Sequence, residues 1–166
     1  MGLIDPGRKA GLGTDDADAP MAGELIYEYR PQVTQTVEYG VSADAMFAGE
    51  PPPPEGARFD LYLEGPLCGG KLDGTVRGVD YLNFRADGRA ELHIHAEIVT
   101  HNGKNVALEA GGIAVRQDGS SLLELREHVS LRSNHAELVW VNGLEIWARG
   151  MVDVASGQVQ LRAFSV

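Results

Sequence analysis

A chain of 166 residues is long enough for one domain with a core that is stable alone, and a second domain would have to be very small. Its 24 acidic and 14 basic residues give a net charge of −10, which argues against a phosphate-neutralising surface, so neither nucleic acid nor an anionic membrane is an expected partner. No apolar run approaches the roughly 20 residues that a membrane-spanning helix needs.

Residues 1–20 hold Gly2, Gly7, Gly11 and Gly13 beside Asp15, Asp16 and Asp18, too polar a composition to bury a face. They read as a solvated acidic tail, with an arm docking on a neighbouring subunit as the alternative. The segment has no apolar stretch of signal-peptide length, and Cys68 has no partner for an internal disulfide, so the expected compartment is the cytoplasm.

Residues 21–166 then form the domain. Strand-forming residues fill Leu25 to Val41, a short helical turn is expected over Ser42 to Ala48, and Pro51 to Pro54 make a stiff connection that a strand would not tolerate. Phe59, Leu61 and Leu63 alternate with Asp60, Tyr62 and Glu64, and period two returns in Leu72 to Val79. A further strand is expected over Tyr81 to Arg85, with a turn at Ala86-Asp87-Gly88 and a returning strand from Arg89 to Thr100. After the His101-Asn102-Gly103-Lys104 turn come Asn105 to Val115, Leu122 to Leu131, Glu137 to Met151 and Gln158 to Phe164.

About eight to ten strands in one short chain favour an all-β, closed antiparallel barrel with calycin- or lipocalin-like proportions, because closure removes the exposed edges of an open sheet. A two-sheet sandwich is the alternative, since the same hairpins serve both architectures.

Pro53 to Val166 resembles the bacterial and fungal family known as domain of unknown function 3237. The matching text is Pro53 to Asp60, Leu72 to Tyr81, Ala86 to Leu92, Trp140-Val141-Asn142, Ile146-Trp147-Ala148 and Val159 to Val166, together with Val37 to Gly40 ahead of the proline run. The resemblance implies a β-barrel that often self-associates, hence a homo-oligomer. It also implies a link in some members to small-molecule metabolism, including cofactor-free acid–base cyclisation. The family pattern places an Asp and an Arg where this chain has His93 and His95, so roles of those two groups do not carry over.

Several residues bear chemistry. Asp80 is a candidate general base at a barrel rim, with Tyr81 as a donor to a developing oxyanion; the alternative for Asp80 is capping a β-bulge beside Gly78. Glu127 shares a strand face with Leu123, Leu125, Val129 and Leu131, so on an interior face it must be paired, protonated or functional. An ion pair with Arg77 or Arg149 is its structural alternative. Trp140, Asn142, Trp147 and Arg126 are candidate ligand-wall residues, although tryptophan also serves as plain core packing.

His93, His95 and Glu97 alternate on one strand face, two imidazoles and a carboxylate that make a legitimate metal set; a solvated face or subunit interface is the alternative. Lys71 and Cys68 have no activating base nearby in sequence, and nucleophile elbow, phosphate loop and dinucleotide fingerprint are all missing. The expected function is a cavity for one small apolar or aromatic molecule, with acid–base chemistry (isomerase, cyclase or lyase) needing no cofactor. A non-catalytic carrier and a metal-binding barrel are the rivals.

Overall fold

The computed structural model describes residues 23–166. The expected acidic tail, 1–20, lies outside the described residues. Nine strand segments form the wall: β1 (Glu24–Tyr29), β2 (Gln32–Glu38), β3 (Ala57–Cys68), β4 (Gly74–Phe84), β5 (Ala90–Thr100), β6 (Asn105–Arg116), β7 (Leu122–Arg132), β8 (Ile146–Asp153) and β9 (Gln158–Ser165). All pairings are antiparallel, and pairing of β3 with β4 and of β1 with β9 closes the sheet on itself. The closed ring excludes the sandwich.

β1 and β2 both lie between β3 and β9, so nine segments fill eight wall positions. The break falls at Arg30-Pro31, where proline has no amide to donate, and Arg30 N bonds instead to Pro66 O at 3.2 Å. Beyond the break β2 touches β9 at a single register pair, Gln32 with Gln158, and most of β2 is exposed. Along the rest of its length β2 is paired with β3 alone.

The run expected as two strands, Leu72 to Val79 and Tyr81 to Arg85, is the single strand β4. Val76, Gly78, Asp80, Leu82 and Phe84 keep one continuous inward face, and the charged Asp80 alone gave the impression of a gap. The strand expected over Glu137 to Met151 is instead a 3₁₀ turn, Val139–Gly143, leading into β8. Asn142 explains the turn: its amide donates to Ser133 O at 2.7 Å and its carbonyl oxygen accepts from Ser133 N at 2.9 Å, which ties the turn to the end of β7. The helical turn is present as α1 (Ala43–Phe47), capped by Ser42, whose hydroxyl accepts from Ala45 N. The hairpin turns at Gly88 and Gly103 adopt φ of 85° and 73°, the left-handed region that glycine enters freely.

The two ends of the barrel differ. At one end Ile26, Leu67, Leu72, Ile98, Val106, Val129, Val141 and Ile146 are essentially inaccessible and form a dry apolar plug. Toward the other end the inward positions include many small residues: Gly78 on β4, Ala90 and Ala96 on β5, Ala110, Gly112 and Ala114 on β6, and Ala148 and Gly150 on β8. Side chains that small cannot fill a barrel of this girth, and a hollow results. Its open end is covered on one side by α1, held by Arg116 bonding to Phe47 O (2.8 Å) and Met46 O (3.4 Å) and by Phe47 packing on Phe59 and Phe84.

The glycines also set how closely strands approach. A Cβ at Gly112 would collide with the Arg126 carbonyl and press on the Glu127 backbone. Gly112→Ala should therefore destabilise the barrel by roughly 1–3 kcal/mol through overpacking, read as a lower urea midpoint. An unchanged midpoint would show that β6 and β7 can move apart freely.

Candidate active site

The hollow has a volume of about 250 Å³ and is lined mainly by aliphatic side chains, among them Leu61, Val76, Leu92, Ile94, Leu125 and Leu161. Four polar groups interrupt this lining in its depth: Asp80, Glu127, Tyr27 and Tyr29. Thr36 and Asp44 stand nearer the mouth, and no lysine, arginine or histidine lines the space among the described residues.

Register explains how these groups meet. Starting at Glu127, the cross-strand ladder runs through Ala148 and Ala163 to Tyr27. The two alanines between them project one methyl each, leaving room for the long side chains to lean over them. In the other direction Glu127 faces Gly112, which presents no side chain at all. Asp80 connects through Ile94 and Ala110 to Val129, two residues beyond Glu127, so both carboxyls sit within one layer of the barrel interior.

Asp80 is 4% exposed and Glu127 6%. Burial pushes the Asp80 carboxyl up to about 6, opposed by a hydrogen bond from the His93 amide at 2.9 Å and by the charge of Arg58. That bond also satisfies an amide of β5 where regular pairing with β4 lapses at Tyr81 and Leu82. The expected alternative of a bulge cap beside Gly78 does not hold, because β4 and β5 keep one register through Gly78 and the amide that Asp80 accepts from belongs to His93 on β5; the residue lines the cavity.

Glu127 is pushed up to about 8, first by burial and then by the Asp80 charge. Asp80 titrates first and meets a still-neutral Glu127; Glu127 then has to ionise against a carboxylate already present. The ion pair considered as the alternative for Glu127 does not form. Arg77 pairs with Glu64, and Arg149 with Glu124, because these arginines occupy outward positions while Glu127 points in. The Tyr27 and Tyr29 phenols are both raised, by burial foremost and by the neighbouring Glu127, which keeps them protonated donors.

Other sequence candidates lie elsewhere. Tyr81 follows the inward Asp80 and so points outward, with Arg58 at 5.0 Å over its ring. Arg126 precedes the inward Glu127 and pairs outside with Glu124 at 3.0 Å. Trp147 lies between the inward Ile146 and Ala148; it is 46% exposed and packs on His128. Trp140, on the 3₁₀ turn, lies under Lys71 against the plugged end, and Asn142 is spent on its two backbone bonds. None of these five lines the cavity. His93, His95 and Glu97 are on the outer face, and no group of three or more His, Cys, Asp or Glu side chains among the described residues converges to hold a metal ion.

Sequence reasoning missed Tyr27 and Tyr29. Their i, i+2 spacing was the available signal, but a register shift between Leu25 and Tyr27 breaks the alternation from which a face would be assigned.

No family model matches this chain, and no curated protein does. Solved structures share its fold. A protein of unknown function from Clostridium acetobutylicum superposes with a TM-score of 0.72 at 18% identity, over 88% of this chain and 99% of its own. A β-barrel-like protein from Acinetobacter baumannii does so at 0.67 and 16% identity, over 88% and 96%. An enzyme from Penicillium herquei matches at 0.56 and 17% identity, over 87% and 96%. At such identities the likeness is one of fold. No helix among the described residues is long and apolar enough to cross a membrane.

The raised Glu127 carboxyl carries a measurable cost. The folded chain holds its proton where the unfolded chain has lost it, between the ordinary value near 4.5 and about 8, so stability falls as pH rises through that window. Glu127→Gln keeps the shape and removes the titration. It should be more stable than the parent at pH 8, by on the order of 3 kcal/mol, with the gap closing toward pH 5. Urea denaturation of both proteins across this range measures it; parallel pH profiles would place the Glu127 carboxyl in water.

Proposed function

We propose that the barrel binds one small, uncharged, largely apolar molecule carrying an oxygen function, and catalyses proton transfer on it without a cofactor. The carrying observation is that two carboxyls with separated affinities for protons face one apolar cavity. At pH 7 Asp80, near 6, is mostly ionised, whereas Glu127, near 8, is mostly protonated. One is therefore a base and the other an acid, the division of labour that environment-tuned carboxyl pairs provide.

The lining sets the ligand class. With Asp80 and Glu127 in its depth, Asp44 nearer the mouth and no cation lining it among the described residues, the space would repel an anionic ligand, while aliphatic walls favour an apolar or aromatic body. The Asp80 oxygen not bonded to the His93 amide takes a proton from the ligand's C–H or O–H. Glu127 delivers its own proton to the oxygen where negative charge develops, with the Tyr27 and Tyr29 hydroxyls available to orient that oxygen. After the step Asp80 is protonated and Glu127 ionised, and the pair resets when one proton passes from Asp80 back to Glu127 through product or water. Isomerisation, cyclisation and elimination all fit this pattern. The resemblance to domain of unknown function 3237 and the fold shared with an enzyme from Penicillium herquei support an enzymatic reading.

A panel of uncharged hydroxylated aromatic compounds, screened by thermal shift and then incubated with protein, tests the proposal. Compounds that raise the melting temperature should be converted, and Asp80→Asn and Glu127→Gln should each lower turnover by about 10²- to 10⁴-fold while retaining binding. Full turnover in both variants would remove the assigned roles. Recovery of every bound compound unchanged would make the barrel a carrier.

A further inference from the structure

On the outer wall, away from the cavity, β5 presents His93 and His95 side by side. Their Nε2 atoms lie 3.2 Å apart and both side chains are exposed. Two imidazoles bound to one ion at about 2.0–2.1 Å hold their nitrogens roughly 2.9–3.4 Å apart as the angle at the ion opens from square to tetrahedral. The observed separation lies inside that interval. A direct hydrogen bond would use one ring's proton and the other's lone pair, a contact for which each exposed ring has water as a competitor. An ion uses both lone pairs at once.

The surroundings suit a cation. Tyr81 stands edge-on to both rings at 6.3 and 6.1 Å and buttresses them from β4. Across from His93 on β6 is Gly111, whose missing side chain leaves the space above the imidazoles open. Across from His95 is Glu109, with no ion pair among the described residues, and Glu91 and Glu97 flank the histidines along β5. Arg58, whose guanidinium lies over the Tyr81 ring, is paired with Asp60 at 2.7 Å.

We propose that His93 and His95 chelate one late divalent transition-metal ion through their Nε2 atoms, with water in the remaining positions. Imidazole nitrogen pairs favour Zn²⁺, Ni²⁺ and Cu²⁺ over the oxygen-seeking Mg²⁺ and Ca²⁺. Glu97 is not a ligand, which distinguishes this site from the three-residue set expected from sequence; it lies one full alternation further along and faces Arg77 on β4.

Calorimetric titration of tag-free protein with Zn²⁺ tests this, with Cu²⁺-induced broadening of the histidine ring protons as a residue-specific readout. One ion per chain should bind, Mg²⁺ should not compete, and His93→Gln and His95→Gln should each lose the binding heat while melting like the parent. Glu97→Gln should bind as the parent does. Absence of Zn²⁺ binding, its survival in either histidine variant, or its loss in Glu97→Gln would overturn the two-histidine site. Because the ion sits on the opposite side of the wall from Asp80 and Glu127, neither result bears on the cavity chemistry.

Discussion

The architecture depends on alternation within a closed wall. Successive residues of a strand face opposite sides, so once the ring closes each position is assigned to the interior or to the surface. Asp80 goes in and Tyr81 out; Glu127 goes in and Arg126 out; Ala148 goes in and Trp147 out. An acid and a neighbouring tyrosine that look like one site in linear text are separated by the thickness of the sheet, while Glu127 and Tyr27, a hundred residues apart in sequence, share one ladder across two alanines.

That assignment makes the interior electrostatics unusual. An isolated carboxylate is costly to bury, and the ordinary remedies are an arginine partner or several amide donors. Asp80 has one amide, from His93, and Glu127 has no hydrogen bond contributing to its titration. The remaining remedy is to keep the proton, and the second acid is held more firmly in its neutral form because the first ionises earlier. An acid and a base thus arise from two chemically similar groups through burial and order of titration alone.

Much of this was legible in the sequence, and the failures have physical causes. Glu127 could be singled out because four apolar residues share its face, which makes it paired, protonated or functional if that face is interior; the facing itself came only with the closed wall. The all-β class and the hairpin turns followed from glycines at turn positions. Asp80 was harder: a charge in the middle of an inward apolar series imitates the end of a strand, so β4 was divided at that residue. The ligand-wall role expected of Trp140 and Trp147 came from aromatic character, which carries no information about facing, although Ile146 and Ala148 on either side of Trp147 did carry it. Tyr27 and Tyr29 were hidden by a register shift whose position depends on the pairing partner, β9, at the far end of the chain.

A hollow lined with small residues and holding two unpaired acids lowers stability, and the fold offsets this at its other end. The plug formed by Ile98, Val106, Val129 and Ile146 occupies the same strands, β5 to β8, that carry the glycines and alanines of the cavity. Each strand is divided along its length, packed tightly below and thinned above, so the wall is anchored where it is dense and needs no filling where it is hollow. The Asp80–His93 bond lies near this division. It satisfies the amide left over where the β4–β5 ladder lapses, so the carboxyl that faces the cavity is also part of the wall. Removing its acceptor oxygen alters the cavity and the ladder together, whereas Glu127 makes no such bond and its side chain serves the cavity alone.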